Sequence, residues 1–408
     1  RQRGSYGGQA SRIGIELGSH TRIEMNTRER FLSCMNFQPV DRVHNWEHGL
    51  WGQTIDRWEE EGMPRDVHVG LTLWSGNEFF GIDRIGMLPV DLGYIPEFDV
   101  QVVEETERYL ISWGRDGILT KALKQGTSHG RRASMDQYLQ HPVVSRDDFE
   151  SKITWRYRPD SIGRYSMWWD DVVRCLGERD YPLRAPQKGA SNIGFYSRLR
   201  HWMGTQAACT VFYDDPAFAE EMLDFIADFI ISTLERALAD IEVDWFNWFE
   251  DYAYKAGPLV SPKIFKRFLL PRYRKVNDFL RAHGINIVLL DTDGNPSVLL
   301  PLMLEAGFTG FWPVECAAGL DPVKLRREYG HDLQMMGGID KRVLAQDKKA
   351  IRAELLYKIP DLVADGGYLP GVDHSAPPDV SYENYMYYLE LKSRLLAGET
   401  LGKVGGDG

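Results

Sequence analysis

The stretch INIVLLDTDGN, residues 285–295, decides the reading of the fold. Ile285 to Leu290 is a short apolar run, too brief for a helix and bounded by Gly284 and Gly294, and it reads as a strand. It ends in Asp291-Thr292-Asp293-Gly294-Asn295, a polar tip where a strand should hand over to a helix. Downstream, Leu299, Leu300, Leu302, Met303 and Leu304 predict that helix, with a stop at Gly307. Phe308 to Val314 is the next strand, ending in Glu315-Cys316. A helix from Pro322 to Tyr329 leads to the strand Leu333 to Met336, which ends in Gly337-Gly338-Ile339-Asp340. After one more helix, Gly367 to Leu369 opens a last short strand, and Asp373-His374 follow it.

Upstream the same alternation continues. Ser261-Pro262 caps a helix that runs through Phe265, Phe268 and Leu269 toward His283-Gly284 despite Pro271. Val243 to Phe249 is a short buried strand ending in Glu250-Asp251. Asp214-Asp215-Pro216 caps a helix over Ala217 to Ala239, with Phe218, Met222, Phe225, Ile226, Phe229 and Ile230 at helical spacing. Strand and helix thus alternate five times at spacings of roughly twenty to forty-five residues, as consecutive β/α units do. A parallel sheet follows. Neither G-x-G-x-x-G nor a P-loop occurs at any strand-to-helix turn, which favours a (β/α)8 TIM barrel over a dinucleotide-binding open sheet.

The fold is expected to open at Asn26-Thr27, a helix cap, followed by Arg28 to Asn36 with Phe31, Leu32 and Met35 on one face. Pro39 stops that helix, and Val43 to Glu47 is a candidate first strand. The region from about Leu50 to Trp202 has no clear phase and is expected to hold the early strands with insertions. Residues 1–24 are rich in Gly, Ser and Arg and read as a flexible leader or tag. Residues 25–400 are then one barrel domain, a size within the range of single barrels.

Of the 408 residues, 43% are hydrophobic, enough for a large core, and the formal net charge is -11. That charge argues against a nucleic-acid partner or an anionic membrane surface, both of which need clustered Lys and Arg. No uninterrupted run of about 18 apolar residues exists, so no membrane span is expected. The four cysteines, Cys34, Cys175, Cys209 and Cys316, are scattered without a C-x-x-C pair, which fits a reducing, cytoplasmic setting and excludes the usual thiolate zinc spacings.

In a barrel the chemistry sits at the carboxyl ends of the strands. There the sequence places Glu47-His48, Glu250-Asp251, Asp291 with Asp293, Glu315, Asp340 and Asp373-His374. Asp340 reads better as a helix cap. Asp291 and Asp293 are two residues apart, so a cap accounts for only one of them, and Glu315 is of a residue type that caps poorly. Carboxylates crowded together do not all ionise without a cation, so one is held protonated as a general acid or a metal sits among them. The expected acid or base is Glu315 or Glu250, with Asp251 and His374 also catalytic candidates. Asp291, Asp293 and His374 are the candidate ligands of a divalent metal, zinc first, with manganese and iron also suited. Trp46, Trp248, Trp312, Glu47, His48 and Asp373 are the candidate substrate-binding residues, aromatic walls with a few polar groups. Cys316 reads as a buried strand-end thiol rather than a ligand.

These same stretches resemble the uroporphyrinogen decarboxylase superfamily. Thr27-Arg-Glu-Arg-Phe-Leu with Pro39-Val-Asp-Arg-Val is similar to its opening helix and first strand. Ser261-Pro-Lys-Ile-Phe-Lys-Arg-Phe with Pro271-Arg-Tyr is similar to its central helix, and Gly366-Gly-Tyr with Asp373 through Pro378 to its closing loop. The superfamily contains that decarboxylase and methylcobamide:thiol methyltransferases. In the methyltransferase branch a His-x-Cys-Gly-Asn segment and a later Cys hold zinc. Here the first segment matches Asp291-Thr-Asp293-Gly-Asn295 and the later position falls on or next to His374, so both sulfur ligands are absent.

In the decarboxylase branch an arginine-rich segment near the first strand grips a polycarboxylate. Here that segment reads His44-Asn-Trp-Glu47-His48-Gly-Leu-Trp, without arginine, and an acidic mouth repels a polyanion. The resemblance therefore implies methyl exchange between a methylated small molecule and a corrinoid on a separate carrier protein. A cofactor-independent decarboxylase is the alternative, and a barrel that binds a ligand or corrinoid partner without turnover is the third reading. Superfamily habit also implies a homodimer.

Overall fold

The computed structural model describes residues 24–67, 69–129, 131–132, 135–186 and 193–402. The proposed leader, residues 1–24, lies outside them except for Glu24. Seven strands form one parallel sheet: β1 Gly86–Met87, β2 Leu183–Ala185, β3 Trp245–Phe249, β4 Ile287–Asp291, β5 Gly310–Trp312, β6 Gln334–Ile339 and β7 Tyr368–Val372. Their order in the sheet is their order in the chain. Every neighbouring pair is parallel. Parallel neighbours need crossovers, and helices supply them. Helix α1 Thr27–Met35 precedes β1; the crossovers include α2 Phe195–Asp214, α3 Pro216–Asp240, α4 Leu270–Ala282 and α5 Lys348–Asp365; and α6 Tyr382–Leu396 follows β7.

The caps fall where the sequence places them. Asn26 and Glu29 form a capping box at α1, Asp215 accepts the Phe218 N–H at 3.0 Å at α3, and Asp340 accepts the Arg342 N–H at 2.9 Å. The helix expected from Ser261 onward is present but changes gauge. Phe265–Leu269 is a π-helical turn and the α-helix resumes at Leu270, a register shift that admits Pro271, which has no N–H to donate.

Alternate strand residues divide between two apolar bodies. Phe246, Trp248, Val288 and Leu290 pack with residues of α2, α3 and α4. Trp245, Ile287, Leu289 and Trp312 face the other way and pack with Trp46, Met336 and Leu369. That second group lies on the face of the sheet opposite α2, α3 and α4.

Val43 to Glu47, expected as the first strand, and the residues up to Leu50 contain no ladder. They are bound to both ends of the sheet instead. Leu50 forms an isolated parallel bridge with Ala376, just past β7, and the Asn45 carbonyl accepts from Asp83 N at 2.9 Å, just before β1. Glu47 fastens this segment from within: it is 1% exposed and pairs at 2.6 Å with the Lys392 ammonium of α6, which is 0% exposed. Lys392 also donates to the Trp46 carbonyl at 2.6 Å. Glu47 accepts the Val372 N–H at 3.0 Å and the Tyr388 hydroxyl.

The unphased region holds β1, β2 and, between them, a four-stranded antiparallel sheet of Gln101–Glu105, Tyr109–Trp113, Leu119–Leu123 and Gln137–Gln140. At the amino ends of the strands a groove of about 770 Å³ runs between residues 34–43, 360–366 and 395–401. No helix of the described residues is long and apolar enough to cross a membrane.

Candidate active site

The site is built at the carboxyl ends of the strands. β4 ends at Asp291, and the chain then turns through Gly294 at φ +76° beneath the backbone of Tyr254, where a Cβ would lie 2.5 Å from the Tyr254 Cα. Only glycine passes there. The Gly294 N–H donates to Glu315 Oε2 at 2.8 Å, and the Asn295 amide donates to the Ala318 carbonyl at 3.1 Å. These bonds fix Asp293 on the turn, with its Oδ1 3.7 Å from His374 Nε2; the two side chains are 48% and 33% exposed. His374 lies against His48, ring centroids 4.7 Å apart, and His48 Nδ1 is 2.8 Å from Ser375 Oγ.

Asp293, His374 and Glu315 are thus brought together, as the sequence implied. Lys341, which sequence reasoning passed over beside the Asp340 cap, joins them at 3.8 Å from Glu315 Oε1. Burial, followed in smaller measure by Asp251 and Glu315, raises the Asp293 carboxyl above its ordinary value, with His374 and Lys341 opposing. Burial and then Asp293 push Asp291 well above it, opposed by Arg184.

The remaining candidates have other tasks. Glu250 is fully buried. Its carboxylate sits at the amino end of α2, accepting Phe195 N at 2.5 Å, Tyr196 N at 3.1 Å, Ser197 N at 2.8 Å and the Tyr273 hydroxyl. Its acceptor capacity is spent on the helix start, which corrects its expected acid–base role. Glu47 is likewise a structural anchor rather than part of the rim. Trp248 is on the helix side of the sheet, its indole donating to Asn277 at 2.9 Å, and does not face the mouth. Trp46 and Trp312 do face inward, 5.5 Å apart edge to face, but are fully buried beneath the mouth.

Asp373 is 0% exposed and accepts Cys316 N at 2.9 Å and Lys341 N at 3.1 Å, tying two mouth loops together. Burial raises its carboxyl. Asp251 is paired with Arg200, a partner the sequence did not suggest. Cys316 is a thiol between the Gly338 carbonyl and the Lys358 ammonium, each 3.2 Å away, and burial pushes it up to about 12.

The expected metal does not fit this arrangement. Among the described residues no three His, Cys, Asp or Glu side chains are placed to hold an ion, and Asp291, Asp293 and His374 do not converge as a ligand set. Lys341 stands beside the carboxylates at the mouth and Arg184 acts on Asp291 from below.

Residues 200–394 match the family model described as Uroporphyrinogen decarboxylase (URO-D). The match covers a little under half of the chain, and over that stretch the chain is similar to the URO-D family. Comparison with curated protein sequences finds no match. Among solved structures, a methyltransferase from Methanosarcina mazei is similar in fold, with a TM-score of 0.54 at 16% identity over 90% of this chain and 98% of its own. The URO-D match spans β3 to β7 and most of α6, and so includes the Asp293 turn and the His374 loop.

Proposed function

We propose that the protein is a methyltransferase of the URO-D superfamily that exchanges a methyl group between a methylated small molecule and a corrinoid presented by a carrier protein. The approach of Asp293 to His374 at 3.7 Å carries this reading, supported by the likeness in fold to a methyltransferase. When docked, the corrinoid supplies the methyl acceptor or donor centre. Asp293 donates a proton to the oxygen or nitrogen that parts from the methyl group; that proton leaves with the demethylated product, and His374 relays another from solvent to Asp293 for the next turnover. Lys341 pairs with Glu315 at 3.8 Å beside them. Trp51 and Tyr254, 38% and 56% exposed, are placed near the mouth and offer a flat ring a surface to rest on.

Residues 25–400 are read here as one (β/α)8 barrel. In that barrel residues 43–50 take the place of the eighth strand, between β7 and β1. The four free cysteines suit a cytoplasmic protein.

The test is methylation of added cob(I)alamin from a panel of methylated amines and ethers, followed by its absorbance. Asp293→Asn and His374→Gln are expected to lose about 100-fold or more in rate, the usual weight of a general acid, while their urea midpoints stay at the wild-type value. Release of carbon dioxide without cobalamin alkylation would instead identify a decarboxylase. Ligand binding with neither reaction would identify a non-catalytic member.

A further inference from the structure

Below the mouth, Arg184 stands at the middle of β2. It is 2% exposed, and among the described residues its Nε and Nη1 have no hydrogen-bond partner. Nη2 reaches only the Met87 sulfur, at 3.3 Å. Among the described residues no carboxylate forms an ion pair with it. Asp291 acts on it through space without a hydrogen bond. Burial lowers its pKa to about 10, which leaves it cationic at neutral pH.

A buried cation without a partner costs several kcal/mol. Two other buried arginines are satisfied. Arg164, 1% exposed, donates to the carbonyls of Asp91, Gly93, Arg156 and Arg158, and Arg198, 2% exposed, donates to the Tyr157 hydroxyl and the Leu92 carbonyl. Arg184 is treated differently.

Its surroundings lead to the reacting groups. The guanidinium lies 3.8 Å over the ring of Trp74, which is itself partly exposed. Trp74 contacts Trp312 at 5.7 Å and His48 at 6.0 Å, and His48 contacts His374 at 4.7 Å. A continuous run of rings therefore connects the bare cation to the Asp293–His374 pair.

We propose that Arg184 binds a carboxylate carried by the substrate, fixing the inner end of the molecule while its reacting group lies at Asp293 and His374. This rests on the mouth being the catalytic site. One guanidinium matches one negative charge. A monoanion is favoured over a phosphate dianion, whose second charge the single guanidinium would leave buried and unmatched.

The probes are acetate, butyrate, inorganic phosphate and tetramethylammonium, titrated into the intact chain at constant ionic strength. Tryptophan fluorescence and the thermal midpoint are the readouts, taken without corrinoid or turnover, so this result is independent of the methyl-transfer reading. Saturable binding of acetate and butyrate is expected, weaker by about 30-fold or more in Arg184→Met. Without ligand, Arg184→Met should unfold at or above the wild-type temperature, because it removes an unpaired charge at similar volume. Arg184→Lys keeps the charge but not the planar fork, and should weaken binding by an intermediate factor. No saturable carboxylate binding in the wild type overturns the proposal, as does preference for phosphate or tetramethylammonium. Equal affinity in Arg184→Met does the same. Should that variant fail to fold, unchanged affinity in Arg184→Lys decides against it.

Discussion

Replacing Lys392 with methionine tests how the first and last segments of the fold are joined. The side chains of Lys392 and Glu47 are 0% and 1% exposed and 2.6 Å apart. Methionine keeps the volume and removes the charge. Glu47 then retains the Val372 N–H and the Tyr388 hydroxyl but becomes a buried carboxylate with no counter-ion, and the Trp46 carbonyl loses its donor. Breaking a buried pair from one side costs about 3–5 kcal/mol, and a bared carbonyl about 1–3 kcal/mol. The two overlap, since both count the same ammonium, so a loss of about 4–5 kcal/mol is expected. That is a large share of an ordinary folding free energy of about 5–15 kcal/mol. The double variant Lys392→Met with Glu47→Gln strands no charge and should recover half of the loss or more. Urea titrations of the wild type, both single variants and the double variant, read by far-UV circular dichroism and tryptophan fluorescence, close the cycle. A loss under about 1 kcal/mol for Lys392→Met, or a double variant no better than that single one, refutes the reasoning.

Glu250→Ala leaves three N–H groups at the start of α2 without an acceptor and should lower stability by about 3–5 kcal/mol; Glu250→Gln should cost less, and near-equal urea midpoints for the two would contradict the anchoring role. Gly194→Ala would set a Cβ 2.0 Å from the Phe249 carbonyl oxygen, so α2 must shift; poor expression or a sharply lowered thermal midpoint is expected, and a wild-type midpoint would show the approach to be looser than described. Asp291 has its folded-state pKa raised, chiefly by burial, so the folded chain keeps a proton that the unfolded chain releases. Its stabilising contribution is then present below the unfolded value of about 3.9 and declines as pH rises toward the folded value, by no more than about 1.4 kcal/mol per pH unit. Asp291→Asn should accordingly gain on the wild type from pH 4 upward in denaturant titrations, and a constant difference across that range would argue against the shift.

The second half of the sheet was legible because its strands are apolar runs closed by polar tips. Even so, their ends moved. β5 stops at Trp312 because Pro313 has no N–H for a ladder, whereas β6 continues to Ile339 through Gly337 and Gly338, residues that do not read as strand. β1 and β2 have two and three residues, too few to show a period, which is why the region from 50 to 202 resisted phasing and why Arg184 and Trp74 were missed. Val43 to Glu47 carries the composition of a strand, yet it is held by single hydrogen bonds and the Glu47 anchor. At the site, Asp293, Glu315 and His374 could be found because strand ends collect chemistry. Glu47 and Glu250 bear the same mark, and nothing in the local sequence tells a carboxylate facing the mouth from one tucked beneath a helix. That distinction depends on Lys392 and on the start of α2, both distant in sequence. Lys341 was hidden by its neighbour, because Asp340 already explained the turn.

The anchor on Glu47 also bears on the order in which the molecule can be made. Its partner is 345 positions further along the chain, so a nascent polypeptide emerging from the ribosome carries residues 43–50 for most of synthesis with that carboxylate still hydrated and the adjoining backbone unsealed. This segment therefore docks only after α6 has been translated. Contacts of such long range are slow to form and leave strand edges open to intermolecular pairing in the interim. Yield of active protein should accordingly depend more on chaperone supply and growth temperature than its final stability would suggest.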